Sequence, residues 1–97
     1  MMAAMLTAIV HIDCDAARIP EVAAQIAEIE GVSEVYSVTG EVDLVALVRV
    51  REHDRLADVI ADQVSKVEGV LRTQTYIAFR AYSRLDLESA FALGIED

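Results

Sequence analysis

Apolar positions along this chain follow two alternating rhythms. From Met5 to Ile12 they recur every second residue, so Leu6, Ala8, Val10 and Ile12 share one face of a strand and Met5, Thr7, Ile9 and His11 the other. Near Ile19 the spacing lengthens to a helical one. Val22, Ala23, Ile26 and Ile29 form a single stripe, Pro20 suits the first turn, and Gly31 closes the helix. Residues 32–39 and 42–50 return to β-branched alternation and predict a hairpin joined through Gly40 and Glu41. Asp54 suits the N-cap of a second helix, whose stripe is Leu56, Val59, Ile60, Val64 and Val67 and which Gly69 ends. Residues 70–81 predict a fourth strand. Residues 82–97, with Leu85, Leu87, Phe91 and Ile95, predict a helical C-terminal extension.

The helix–glycine–strand junction occurs twice. Ala27-Glu28-Ile29-Glu30-Gly31-Val32 and Ser65-Lys66-Val67-Glu68-Gly69-Val70 stand 38 residues apart, and the same offset relates Val22 to Ile60 and Ile26 to Val64. The element order β-α-β-β-α-β is that of the ferredoxin-like α+β fold, a four-stranded antiparallel sheet with both helices on one face. The whole chain, 1–97, reads as one domain with its core in residues 5–81. A sheet covered on one side should be polar on the other. Here the third strand is apolar on both sides from Leu44 to Val48, the first offers Met5 and Ile9 away from the helices, and the fourth is apolar or aromatic across residues 76–79. Each aliphatic side chain gains about 1.5–3 kcal/mol on burial, so a second copy of the sheet across a two-fold axis is the expected cover. The other reading has the C-terminal extension fold back over its own sheet.

Charge narrows the function classes. Eight Lys and Arg face 17 Asp and Glu, a formal charge of -9, and such a chain lacks the basic footprint of a duplex-binding protein. The core is aliphatic, with 55% hydrophobic residues, 5% aromatic and no Trp. Cys14 is the only cysteine, which excludes an internal disulfide and favours a reducing cytoplasm. The apolar N-terminus has no basic region and soon reaches His11 and Asp13, unlike a signal peptide or membrane span.

The hairpin carries a family resemblance. Glu30-Gly31-Val32 followed by Val35-Tyr36-Ser37-Val38-Thr39-Gly40-Glu41-Val42-Asp43-Leu44 closely resembles the effector domain of the Lrp/AsnC regulators, and Gly69-Val70-Leu71-Arg72-Thr73-Gln74-Thr75 is similar to its fourth strand. That domain is called RAM, for regulation of amino-acid metabolism, and the likeness spans about residues 5–81. It implies a ferredoxin-like domain that dimerises through its sheets, often builds octameric rings, and binds small effectors, usually amino acids, between dimers near the hairpin. Family members that bind DNA carry an N-terminal helix-turn-helix module. Here the first strand starts within a few residues of Met1, as in a stand-alone RAM domain, which would act by co-assembling with full-length regulators or by presenting ligand to another partner.

Under the resemblance, Gly40 and Asp43 are the leading ligand contacts. Gly40 permits a positive φ and leaves amides open to a carboxylate, and Asp43 can accept from an α-ammonium group. The bland alternative is a turn glycine and an aspartate that closes the hairpin. Thr39 and Glu41 belong to the same turn. Thr73, Gln74 and Thr75 begin an otherwise apolar strand and can reach head groups or side chains, though Thr also suits strands intrinsically. Tyr36 and Ser37 are weaker candidates, because alternation sends Ser37 and Thr39 to one face and Tyr36 to the other. His11, Asp13 and Cys14 fall short of a metal site, since alternation splits the three and two ligands on a strand end do not hold zinc. His53 reads as a solvated helix N-terminus, and Arg49, Arg51, Arg72 and Arg80 as scattered salt-bridge partners rather than an anion site. No motif calls for a cofactor.

The expected function is therefore a non-enzymatic effector-binding module. Two other classes share the architecture: small dimeric α+β-barrel enzymes of the monooxygenase kind, and ACT-like amino-acid-binding domains. Against an enzyme stand the two histidines, the missing Trp and the lack of a nucleophile motif such as G-x-S-x-G.

Overall fold

The computed structural model describes residues 5–82 and 84. Strand β1 (Leu6–Cys14) leads through a 3₁₀ turn, Ala16–Arg18, into α1 (Ile19–Ala27), and β2 (Val32–Ser37) and β3 (Leu44–Val50) follow. Helix α2 (His53–Ala57) runs on without a break into π-helical turns at Asp58–Val64, and β4 (Val70–Ile77) closes the order. The sheet reads β2-β3-β1-β4, antiparallel at every neighbouring pair. The ferredoxin-like α+β expectation is met.

Register explains the core. Ala8 faces Val48, Val10 faces Ala46 and Ile12 faces Leu44 across the β1–β3 ladder, and all six side chains are fully buried. Over them lie Val22 and Ile26 of α1, with Leu56, Val59 and Val64 from the second helical segment. Cys14 extends the alternation two residues past the predicted strand end and joins this core.

The two glycines that end the helices pack reciprocally. Gly31 follows α1 at φ +102°, and a Cβ there would stand 3.0 Å from Val59 of the π-helical turns. Gly69 follows the second helix at φ +100°, and its Cβ would stand 2.7 Å from Val22 of α1. Each glycine carbonyl also extends a ladder: Arg49 N–H donates to Gly31 at 2.8 Å and Asp15 N–H to Gly69 at 2.8 Å. The repeated phrase in the sequence is thus a repeated contact.

Four local expectations need correction. The hairpin connection is longer than Gly40-Glu41, because pairing stops at Ser37 opposite Leu44. Val38 N–H donates to the Asp43 carbonyl at 3.2 Å while Asp43 N–H is drawn to the Ile12 carbonyl of β1 at 3.1 Å. Asp54 is not the N-cap of α2. Glu52 holds that position without a side-chain bond, and Asp54 sits in the first turn, where its charge suits the helix dipole. Strand β4 ends at Ile77, not residue 81, because its partner β1 begins at Leu6; Ala78 N–H to the Thr7 carbonyl, 2.9 Å, is its last rung. The π-helical turns, closed by Ser65 N–H donating to the Ile60 carbonyl at 2.9 Å, were not foreseen. Five-residue spacing lets Val59 and Val64 both reach the core, an interval an α-helical stripe fits poorly. The helical extension expected over 82–97 lies outside the described residues, apart from Tyr82 and Arg84.

Away from the helices the sheet is apolar. Ile9 opposes Leu47, and His11 opposes Val45, on this open face. Tyr36 and Tyr76 stand on it about half exposed, and beyond β4 Phe79 is 100% and Tyr82 75% exposed.

The two helix-ending glycines differ from the hairpin glycine in a measurable way. Gly69→Ala should cost about 1–3 kcal/mol, because left-handed strain is added to a clash. Gly40→Ala, also at positive φ but with open space around it, should cost less. Urea denaturation midpoints of the two variants test that order.

Candidate functional site

Crossing β1, β3 and β4 at the hairpin end, the open face forms a cleft of about 450 Å³. One wall is the β2–β3 connection, with Val38, Thr39, Glu41 and Val42. The floor is His11 of β1 and Val45 of β3, and the far wall is Arg72, Gln74 and Tyr76 of β4. Strand register brings them together, for His11 opposes both Val45 and Gln74, and the residues two along β4 from Gln74 share its face.

Its polar groups are already ordered. The His11 and Tyr76 rings meet edge to face at 5.0 Å. Arg72 donates to one carboxylate oxygen of Asp13 through Nε at 3.1 Å and Nη2 at 2.9 Å. A guanidinium has five donors, so this pairing orients Arg72, which lines the cleft, and occupies only part of its fork. Glu41 supplies negative charge across from it, and Val38, Val42 and Val45 supply apolar surface. Such an arrangement suits a small zwitterion with an apolar side chain.

The sequence-derived candidates separate on inspection. Thr39, Glu41 and Gln74 line the cleft. Gly40 sits at the tip of the connection, exposed, at φ +119° with nothing near its Cβ position. The Asp43 carboxylate turns away from the tip and accepts from the Cys14 backbone N–H at 2.9 Å, so the chain itself uses the group that was expected to meet an ammonium. Thr73 and Thr75 share the helix-side face. Thr73 Oγ1 lies 3.3 Å from Ser65 Oγ, and Thr75 borders a separate apolar cleft with Leu56, Ile60 and Ile77. Tyr36 stands on the open face opposite Val45, with its hydroxyl donating to the Glu34 carboxylate, a bond that pushes its pKa up. His11, weighed only as a metal ligand, Arg72, read as a salt-bridge partner, and Tyr76 were not among the expected ligand contacts. Their signal was period-two alternation combined with the β1–β4 register, and the register is not readable from one strand alone.

No three His, Cys, Asp or Glu side chains come together as a metal-ligand group among the described residues. Burial pushes the Cys14 thiol pKa up, and the negative charges of Asp43, Asp15 and Asp13 add to it. The native chain therefore holds this proton more tightly than the unfolded chain does. The contribution to stability is complete below the ordinary thiol value of 9.0 and is lost as pH rises above it. Native protein should react slowly with a disulfide reagent at pH 8 and rapidly once unfolded. Asp43→Ala, which orphans the Cys14 N–H, should lower unfolding free energy by about 1–3 kcal/mol, and Asp43→Asn, which keeps an acceptor, by less. Chemical denaturation checks both.

Comparison with known proteins fits this architecture. The Lrp/AsnC ligand binding domain matches residues 7–86. The crystal structure of TTHA0845 from Thermus thermophilus is 48% identical, with a TM-score of 0.76, over 81% of this chain and 99% of that one. The feast or famine regulatory protein Rv3291c of M. tuberculosis, solved with L-methionine, is 33% identical at a TM-score of 0.67, over 81% of this chain and 54% of that one. An uncharacterised HTH-type transcriptional regulator of Pyrococcus horikoshii, PH1916, is 41% identical over 59 residues, 61% of this chain and 39% of the regulator. The chain thus spans well under half the length of that curated relative. With its fold, its hairpin phrase and these matches in agreement, the chain belongs to the Lrp/AsnC ligand-binding domain family.

Proposed function

We propose that this domain is a non-enzymatic sensor that binds an amino acid in the open-face cleft and passes occupancy on through its assembly. The observation that carries the reading is the cleft itself, with Arg72 and Gln74 on one wall, Glu41 on the other and valines between. Arg72 and Gln74 take the ligand carboxylate through charge-assisted and neutral hydrogen bonds, and Glu41 takes the ammonium. Thr39 and the Gly40 backbone complete the hairpin wall. Asp43 positions that wall by anchoring its end to β1, and Tyr36 borders the same face. Thr73 and Thr75 stand behind the sheet and act only through their strand. The L-methionine bound by the M. tuberculosis relative supports an amino acid with an apolar side chain.

Assembly follows from the uncovered face. Ile9 and Leu47, with exposed Phe79 beside them and away from the cleft, favour a homodimer through facing sheets, and the family resemblance implies a further ring such as an octamer. A ligand that binds only the assembled form stabilises it by mass action. Co-assembly with full-length Lrp/AsnC regulators would dilute their DNA-binding arms and lower operator avidity. The charge of -9 argues against direct contact with nucleic acid. No helix among the described residues is long and apolar enough to cross a membrane, and the free thiol of Cys14 fits a reducing cytoplasm.

A thermal-shift series over the twenty amino acids tests binding. A ligand at 100 times its dissociation constant should add about 2.7 kcal/mol to native stability. Arg72→Ala and Gln74→Ala should each weaken that ligand about tenfold or more, as expected for a lost bond to a charged group. No response to any amino acid, or an unchanged affinity in both variants, would overturn the reading. Leu47→Asp should convert the dimer to monomer in sedimentation velocity.

A further inference from the structure

Two rings in the open-face cleft take no part in holding the ligand head groups. His11 stands on its floor and Tyr76 on its far wall, with centroids 5.0 Å apart and planes inclined at 60°. The strand ladders fix both. His11 lies between Val45 of β3 and Gln74 of β4, and Tyr76 follows Gln74 by two residues on the same face, opposite Ile9. Among the described residues no Phe or Tyr belongs to the hydrophobic core. Tyr36, Tyr76, Phe79 and Tyr82 are all about half exposed or more. Core packing therefore does not account for Tyr76, which keeps 47% of its surface open on a cleft wall.

Spacing along β4 sets what a ligand must reach. Arg72, Gln74 and Tyr76 line the cleft at steps of two residues, so the backbones of Arg72 and Tyr76 stand about 13 Å apart at the ordinary strand rise. With its carboxylate on Arg72 and Gln74, an amino acid with a short side chain, such as alanine or valine, stops short of the tyrosine. A side chain that ends in a ring spans the remaining distance and meets the ring pair, with Val38, Val42 and Val45 around it. An edge-to-face pair engages one face of one ring and one edge of the other, which leaves ring surface for a third. Such contacts add to the gain from buried area and distinguish an aromatic ring from a saturated one of similar size. The cleft, about 450 Å³, has room for one amino acid of this kind.

We infer that the cleft selects aromatic amino acids, with Tyr76 and His11 as the residues that read the ligand side chain. This selectivity rests on the amino-acid reading of the cleft and narrows its ligand class. Isothermal titration with L-phenylalanine, L-cyclohexylalanine and L-leucine tests it, because cyclohexylalanine keeps the size of the side chain and lacks the π system. Phenylalanine should bind about two- to tenfold tighter than cyclohexylalanine. In Tyr76→Leu that ratio should fall to about one, and in His11→Leu it should shrink. Neither side chain is part of the core, and a cooperative thermal melt shows that each variant is folded. Equal binding of phenylalanine and cyclohexylalanine, or a preference that survives Tyr76→Leu, would overturn the selectivity and leave the sensor reading standing. Binding of none of the three, with no response to any other amino acid, would remove the sensor reading and the selectivity with it.

Discussion

The architecture turns on two close approaches made by residues without side chains. Gly31, at the end of α1, leaves room for Val59 of the second helix, and Gly69, at the end of the second helix, leaves room for Val22 of α1. Each therefore fixes how near the opposite helix can lie to the sheet. Their carbonyls lock the same junctions to β3 and to the chain just beyond β1. The fully buried side chains of β1 and β3 fit beneath two helices only at that spacing. A Cβ at either position would push a helix away from the layer it covers.

With the helices held on one side, the other side is left to chemistry. The candidate cleft opens at the hairpin end of the strands, where one arginine and one glutamate stand across an apolar floor.

Much of the fold was legible in the chain because the repeated Glu-Gly-Val phrase and the change from period two to helical spacing mark both helix-to-strand junctions. The π-helical turns were hidden, since Ile60 stands four residues from both Leu56 and Val64 and masks the five-residue step from Val59 to Val64. The candidate cleft was legible in part. Thr39, Glu41 and Gln74, expected from the hairpin and the fourth strand, line it, but His11 and Tyr76 become neighbours only through the β1–β4 register. Asp43 had the residue type of a ligand contact, yet its carboxylate serves Cys14 N–H. A sequence shows that an acceptor is present and not which donor reaches it first.

The position of β1 has a consequence for how the chain comes to be folded. It is the first strand of this sheet to be made and a central strand of the finished sheet, yet it pairs with β3 and with β4, where Asp13 meets Arg72. Its two edges wait for residues 44–50 and 70–77, and distant pairings of this kind form slowly. During that interval an alternating apolar strand is available to any neighbouring nascent chain. The excess of acidic residues keeps such chains apart by mutual repulsion, so the net charge guards the route to the native state as well as the solubility of its end point.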